Sequence, residues 1–447
     1  MPKLPKFRPS PIGIDLMPII KFLKLQASGG IVLMATALIA LVWANSAWAD
    51  SYNHLWEKEV AITVGGHGLS MHLLHWINDA LMAIFFFVVG LEIKREIRVG
   101  ELSTMSKASL PIMAALGGML VPAFIYILIN MNGEGMRGWG IPMATDIAFA
   151  LGVLALLGKR VPLSLKIFLT ALAIIDDIGA VLVIAMFYTA ELHTGGLVAM
   201  AVITLILFAM NRIGVRNPIG YLIPAVCLWF AVHESGLHAT IAGVIVAFMV
   251  PARAVIDSKI FLDSSRELLD DFEKLGVSDK VEVATEKQLG VIHSLHMYME
   301  YLESPLQRLE HAHHYAVTFL IVPIFALANA GVVIDLRADF LTHGITLGVF
   351  LGLLVGKQLG IFLFSWLAVR FGISKKPDDV SWLQIYGVGW LAGIGFTMSL
   401  FVTGLAFEDP LFIKMSKVGI LFASLLAGLI GYLILYYTLK KQKEASP

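Results

Sequence analysis

Runs of about 20 mostly apolar residues recur along the whole chain, the length a helix needs to cross roughly 30 Å of hydrocarbon. Twelve are legible, at 29–49, 73–92, 108–130, 138–157, 166–189, 195–211, 218–232, 236–250, 315–334, 343–368, 382–406 and 417–438. A membrane barrel would show alternating segments of about ten residues, and none occur. Of 447 residues 58% are hydrophobic and 15% charged, with mean hydropathy +0.80; a soluble domain carries about 25% charged residues. The expectation is an all-α polytopic membrane protein, one transmembrane domain over residues 1–447.

The basic residues set an orientation. With the amino terminus placed inside, 27 of the 33 Lys and Arg residues fall on the inner side, five fall outside, and Lys357 lies within a span. This is the asymmetry of the positive-inside rule, and it makes both termini cytoplasmic. Lys21, Lys24, the apolar run from Ile31 and Ala47-Trp48-Ala49 also mimic a signal peptide with a small-residue cleavage site. Cleavage would leave eleven spans with the same sidedness; the long leader and the length of the span favour retention. The formal net charge of zero gives no bulk attraction to nucleic acid. The single cysteine, Cys227, can form no disulfide within the chain.

Two loops carry features of their own. In the outer loop 50–72, Val60 to Val64, Gly65-Gly66-His67-Gly68 and Leu69 to Met71 read as a β-hairpin. An isolated hairpin is marginal in water, so it calls for a partner such as a second protomer; a flexible loop fits the residues nearly as well. The inner loop 251–314 has helical stretches at 261–275 and 284–302, separated at Gly276 to Asp279. It reads as a cytoplasmic helical hairpin or partly ordered lid.

Charge inside the spans is the next constraint. Asp146, Asp176, Asp177 and Lys357 lie there, at a cost of about 2.5–3.5 kcal/mol each on insertion scales. Together that approaches a domain's whole net stability of about 5–15 kcal/mol. Such groups must pair, face water or change protonation. Asp176 and Asp177 are adjacent in an otherwise apolar helix, pointing about 100° apart. Burial penalises their charged forms, mutual repulsion penalises charging both, and the pair titrates as a unit. A hard cation such as Na⁺ prefers oxygen ligands and competes with protons for these carboxylates. Two spans are also interrupted: Gly138 to Asp146 by glycines and Pro142, and Gly387 to Thr397 by four glycines. Unwound backbone at membrane depth lines a cavity or is buried in protein, and paired interruptions in the two halves of a chain mark a transporter's binding site. Asp146 suits the positive half-helix amino termini and Lys357 the negative carboxyl termini. Lys357 can also bridge Asp176, leaving Asp177 as the principal cation ligand. Ordinary close helix packing remains the alternative account of the second glycine-rich segment.

Several further motifs carry a resemblance. They are Phe86 to Glu96, Met143 to Ala150, the aspartate pair, His238 to Gly243, Leu309-Glu310-His311, Phe325 to Gly331, Gly356 to Gly360 and Gly393 to Met398. In this order they resemble bacterial Na⁺/H⁺ antiporters of the NhaA type, an inverted-repeat family, over most of residues 15–440. The resemblance implies two crossed discontinuous helices (138–157 and 382–406) and a homodimer joined through the periplasmic hairpin. It also implies export of Na⁺ (or Li⁺) from the cell through the inner membrane, driven by uptake of a larger number of H⁺. By motif match Asp177 and Asp176 carry the ions, Thr145 and Asp146 belong to the crossing, and Lys357 is its cationic partner. Regulation by cytoplasmic pH would involve Glu92, Arg95, Glu310, His311 and His314. The chain departs from the family pattern at His313 and Tyr315, which flank His314, and in the length of its inner loop.

Histidine titrates near pH 6.5, but from the residues alone a sensor and an interfacial polar group are equally good readings of His311 and His314. His311, His313 and His314 beside Glu310 lack a second cluster at metal spacing, so no metal beyond transported Na⁺ is expected. His238 reads as a packed, hydrogen-bonded residue, and Asp79 as the lining of an outer funnel. An intramembrane aspartyl protease needs acids converging from two helices, and a cation channel needs rings of carbonyls or acids; neither pattern fits. With no phosphate-binding Gly-x-x-x-x-Gly-Lys-[Ser/Thr] and no cofactor called for, the chain reads as a secondary transporter rather than an enzyme, in contact with membrane lipid.

Overall fold

The structure, a computed structural model, describes residues 28–64, 67–131, 133–189, 192–276, 283–333 and 341–445. The leader with Lys21 and Lys24, the Gly65-Gly66 turn, Val277 to Asp279 of the inner loop and Arg337 lie outside the described residues. In chain order the helices are α1 (Ser28–Ala44) and α2 (Ala49–Trp56), then, after two strands, α3 (Leu73–Val99) and α4 (Met105–Asn130). A 3₁₀ segment, Glu134–Met143, leads to α5 (Ile147–Leu156), α6 (Leu163–Phe187), α7 (Thr194–Ile213), α8 (Pro218–Glu234) and α9 (Thr240–Met249). Next come α10 (Ser258–Lys274), α11 (Glu286–Leu302), α12 (Pro305–Asn329), α13 (Gly344–Arg370), α14 (Trp382–Ala392), α15 (Phe396–Ala406) and α16 (Pro410–Ala445).

Among the described residues seven helices are long and apolar enough to cross a membrane, and three bent pairs bring this to as many as ten spans. The pairs are α1 with α2 at 113°, the 3₁₀ segment with α5 at 43°, and α14 with α15 at 46°; α8 and α9 are shorter apolar helices. The two interruptions expected from sequence are therefore present as breaks. The first span, expected at 29–49, ends as a helix at Ala44. There Asn45 turns its amide back to the Leu41 carbonyl and across to that of Val332, at 2.8 and 2.7 Å.

The strands β1 (Glu59–Val64) and β2 (His67–His72) pair antiparallel, with Val64 opposite His67 and Glu59 opposite His72. Loop 50–72 thus holds a hairpin, whose second strand begins two residues earlier than the expected Leu69. In loop 251–314 α10 and α11 pack on each other, close to the helical stretches expected there. Asp257 caps α10 through the amides of Lys259 and Ile260, both at 2.9 Å, and Thr285 and Gln288 form a capping box on α11. The span expected from 315 begins as a helix at Pro305, behind a second capping box of Ser304 and Gln307. Glu310, His311 and His314 consequently ride on the first turns of α12.

The chain divides into two compact units. The first comprises residues 1–74, 105–180 and 322–447, the second residues 75–104 and 181–321. In the first, α13 packs along α4 at a backbone-to-backbone approach. A Cβ on Gly360 would lie 2.0 Å from the Gly117 carbonyl oxygen, and one on Gly117 2.1 Å from that of Gly360. Only glycine fits this approach, which seats Lys357 one turn away inside the unit. In the second unit α9 packs on α3, and Leu207, Tyr221, Leu228, Val232, Ala242 and Val246 form a buried cluster of α7, α8 and α9. On α7 itself only Leu207 is buried, while Val198, Val202 and Leu205 are exposed, as suits a helix set in lipid.

Candidate functional site: two helix breaks and a buried acid pair

Asp176 and Asp177 sit at the middle of α6, and Thr145 and Asp146 at the break between the 3₁₀ segment and α5. Lys357 opens the second α-helical stretch of α13, immediately after a π-helical turn at Gly352–Gly356. Such turns are rare and concentrate at functional sites; two more lie at Ile77–Leu81, which carries Asp79, and at Val317–Ile321. All five expected site residues belong to the first unit and are buried, each exposing 3% or less of its surface.

The lysine holds two of the groups together. Its Nζ lies 2.9 and 2.7 Å from the two oxygens of Asp176 and also donates to the Met143 carbonyl at the end of the 3₁₀ segment. A cation at the negative end of a half-helix is electrostatically favourable, so one ammonium serves the broken backbone and the acid pair. The charge of Asp177 is also within electrostatic reach of Lys357.

Asp146 answers the opposite ends. Its Oδ1 accepts from the Phe149 amide at 2.9 Å, capping α5. Its Oδ2 accepts from the Thr397 amide at 3.1 Å and the Thr397 hydroxyl at 2.5 Å, at the start of α15. One carboxylate thus satisfies orphan donors of two half-helix amino termini. The breaks are tied further by the Asp146 amide to the Ile394 carbonyl at 2.7 Å. Thr145 Oγ1 donates to the Ala392 carbonyl at 2.9 Å, and Ser399 Oγ to that of Ile141 at 2.8 Å. The unwound backbone lies buried in protein with these polar groups engaged, as its tolerance in a membrane requires.

The residues expected to sense pH form a separate cluster in the second unit. Arg95 pairs with Glu96 at 3.0 Å and with Glu310 at 3.2 Å, and Glu92 is within electrostatic range of all three. His311 Nδ1 meets Glu303 Oε1 at 3.0 Å, whereas the exposed ring of His314 packs edge-on to Tyr315, 5.9 Å between centroids. His238 is bonded to the Tyr188 carbonyl at 2.7 Å, the packed role expected for it. Asp79 is half-buried.

Four participants were not singled out from sequence. Thr397 was readable in principle, as a hydroxyl one residue into a half-helix. Glu96 was legible only as the last residue of the Phe86 to Glu96 motif, and Glu303 carried no signal beyond being an acid near a helix end. Gln358 is 1% exposed, and neither atom of its amide meets a partner among the described residues. Its Nε2 would lie 2.8 Å from a Cβ on Gly393, beside the second break.

The comparisons with known proteins bear on the chain as a whole. The family model described as Na⁺/H⁺ antiporter 1 matches residues 20–435. The chain is 50% identical over 438 residues to the Na⁺/H⁺ antiporter NhaA of Oleidesulfovibrio alaskensis, covering 98% of this chain and 97% of that one. It is 48% identical over 427 residues to NhaA of Koribacter versatilis, with 95% and 92% covered. To NhaA of Helicobacter pylori strain G27 it is 46% identical over 417 residues, with 93% and 94% covered.

Proposed function

The chain belongs to the Na⁺/H⁺ antiporter 1 family, and from that premise we propose that it exports Na⁺, or Li⁺, in exchange for a larger number of H⁺. The observation that carries the reading is the buried Asp176–Asp177 pair, with one member held by Lys357 and both in the unit that contains the two tied helix breaks.

Asp176 already has a cation against both oxygens, so Asp177 is the principal ligand for Na⁺ or H⁺ and Asp176 the second. Hard alkali cations take oxygen donors, and a protonated carboxyl is a poor one. Each site state therefore excludes the other. Thr145 and Asp146 hold the breaks at fixed geometry, and Lys357 keeps the carboxyl end of the 3₁₀ segment neutralised whichever ion is bound.

Further parts of the reading rest on the resemblance and on sequence. The protein resides in the bacterial inner membrane, surrounded by lipid, with both termini cytoplasmic. Its two interrupted spans are the crossed pair of inverted repeats, and the hairpin 59–72 joins a homodimer. Movement of unequal charge makes exchange electrogenic. Glu92, Arg95, Glu310, His311 and His314, with Glu96 added, form the cytoplasmic pH-responsive cluster: three acids around one arginine change net charge with proton occupancy.

The test is a Na⁺ pulse to inside-out vesicles holding an acid interior, followed by a fluorescent reporter of the pH gradient, from neutral to alkaline pH. Wild type should collapse the gradient with Na⁺ and with Li⁺, faster under a supporting membrane potential. A chain that dissipates potential without moving protons would be a channel instead.

A further inference from the structure

Gln358 follows Lys357 on α13, directly after the π-helical turn, and the two side chains leave the helix about 100° apart. Lys357 reaches the end of the first interrupted segment, at the Met143 carbonyl. Gln358 lies against the second. A Cβ on Gly389 would meet the Gln358 Cα at 3.4 Å, and one on Gly393 would meet its Nε2 at 2.8 Å. Gly389 and Gly393 stand one turn apart at the carboxyl end of α14, so their bare backbone forms a track that leads this side chain to the break. The Leu353 carbonyl, within the π-helical turn, also stands 2.8 Å from a Cβ on Gly393. The π-helical turn, the second break and the residue after Lys357 thus meet at one point.

The two neighbours differ in what they hold. Lys357 has both oxygens of Asp176 and the Met143 carbonyl. Gln358 is 1% exposed, and neither its amide oxygen nor its amide nitrogen has a partner among the described residues. A buried amide without partners carries its full desolvation penalty, which an apolar side chain of the same shape would avoid. A second conformation that offers partners removes that penalty, and the exchange proposed above supplies a reason for one. Asp176 serves as second ligand to Na⁺ only when Lys357 loosens its hold on one of the carboxylate oxygens. A lysine that shifts carries with it the turn of α13 that bears Gln358.

We infer that Gln358 is a positioning residue for exchange: as Lys357 yields Asp176 to the cation, the Gln358 amide takes main-chain partners at the second break and holds that break in register with the acid pair. A donor and an acceptor on one flexible stem suit the carbonyls and amides that half-helix ends leave open. The glycine track presents no side chain to obstruct the move. The adjoining π-helical turn is the part of α13 whose bonding already departs from the α-helical pattern. This role rests on the exchange reading, and it acts on the rate of exchange rather than on binding of the ion.

Gln358→Met keeps the approximate shape of the side chain and removes its polar atoms. In reconstituted vesicles its turnover should fall roughly tenfold, the worth of one buried hydrogen bond missing from the cation-bound state. The KM for Na⁺ should not change, because Asp176 and Asp177 are intact. The melting temperature should equal or exceed that of wild type, since the conformation described here loses only an unpaired amide. In purified protein, Na⁺ should slow backbone amide exchange over residues 389–397 of wild type and not of the variant. Gln358→Asn, whose amide is one methylene short of the break, should lose turnover likewise, so the test stands even if the methionine variant folds poorly. Wild-type turnover in both variants would overturn the assignment. So would a lowered melting temperature with a matching loss of Na⁺-linked proton release, the mark of an amide that only packs around a buried water. Absence of Na⁺-driven proton flux from wild type itself would sink the exchange reading and this role with it.

Discussion

Asp176 and Asp177 are chemically identical neighbours, and what distinguishes them is Lys357, 2.7 Å from one oxygen of Asp176. This asymmetry sorts the expected variants. Asp177→Asn should abolish Na⁺-dependent proton flux in reconstituted vesicles while the melting temperature stays near wild type, because the lysine pair is left intact. Lys357→Met should destabilise by about 3–5 kcal/mol, since it leaves Asp176 as a buried charge without its partner. Adding Asp176→Asn to that variant should recover part of the loss in thermal melts; equal destabilisation by the single and double variants would deny the coupling. At this scale the sequence was informative wherever charge stood against lipid. Asp146, Asp176, Asp177 and Lys357 are conspicuous because a charge in an apolar run needs a reason. Gln358 and Thr397 are neutral, and neutral polar residues in spans are too common to stand out; only the packed structure shows what they face.

The two breaks act as one element. Asp146 caps both α5 and α15, so Asp146→Ala removes an N-cap, worth about 0.5–2 kcal/mol at one helix, and the acceptor of a second. Thr397→Val removes only the 2.5 Å hydroxyl bond and should cost less. Thermal melts in detergent should rank the two variants in that order, both with reduced flux. Gly360→Val tests the seat of Lys357 from the far side: a Cβ 2.0 Å from the Gly117 carbonyl cannot be absorbed by a flexible side chain, so α13 must move and exchange should fall sharply. Glycine and Pro142 made the breaks readable from sequence. The start of α12 was less so, because its first turns are polar and a reading led by hydropathy begins only where the apolar residues do. The capping box of Ser304 and Gln307 was the available signal. The π-helical turn before Lys357 left no trace in sequence, since it depends on how α13 packs rather than on local propensity.

For the whole molecule, the proposed exchange at the buried acid pair reduces to a single competition between ions. As pH rises the proton withdraws from that competition, so the apparent KM for Na⁺ should fall, by up to about tenfold per pH unit where one proton competes with one cation. A KM independent of pH would mean that Na⁺ and H⁺ use different groups. Deleting 59–72 should convert the proposed dimer to monomers in light-scattering measurements at low protein concentration, with exchange surviving, because every proposed ion ligand lies outside the hairpin. Of the twelve runs expected, seven helices, or up to ten spans with the bent pairs, stand among the described residues. The membrane class was open to a reader of the sequence because lipid imposes one length on every span. The division into two units was not, since residues 75–104 join 181–321 through packing that no local pattern records.

Proton release on cation binding tests the central claim most directly. Purified protein in weakly buffered detergent solution, at a pH where the pair is protonated, is given NaCl while the released protons are counted with a dye, choline chloride serving as the ionic-strength control. Wild type should release protons in proportion to the Na⁺ bound, and Asp177→Asn should release none. Saturable Na⁺ binding to wild type with no proton released would contradict the account.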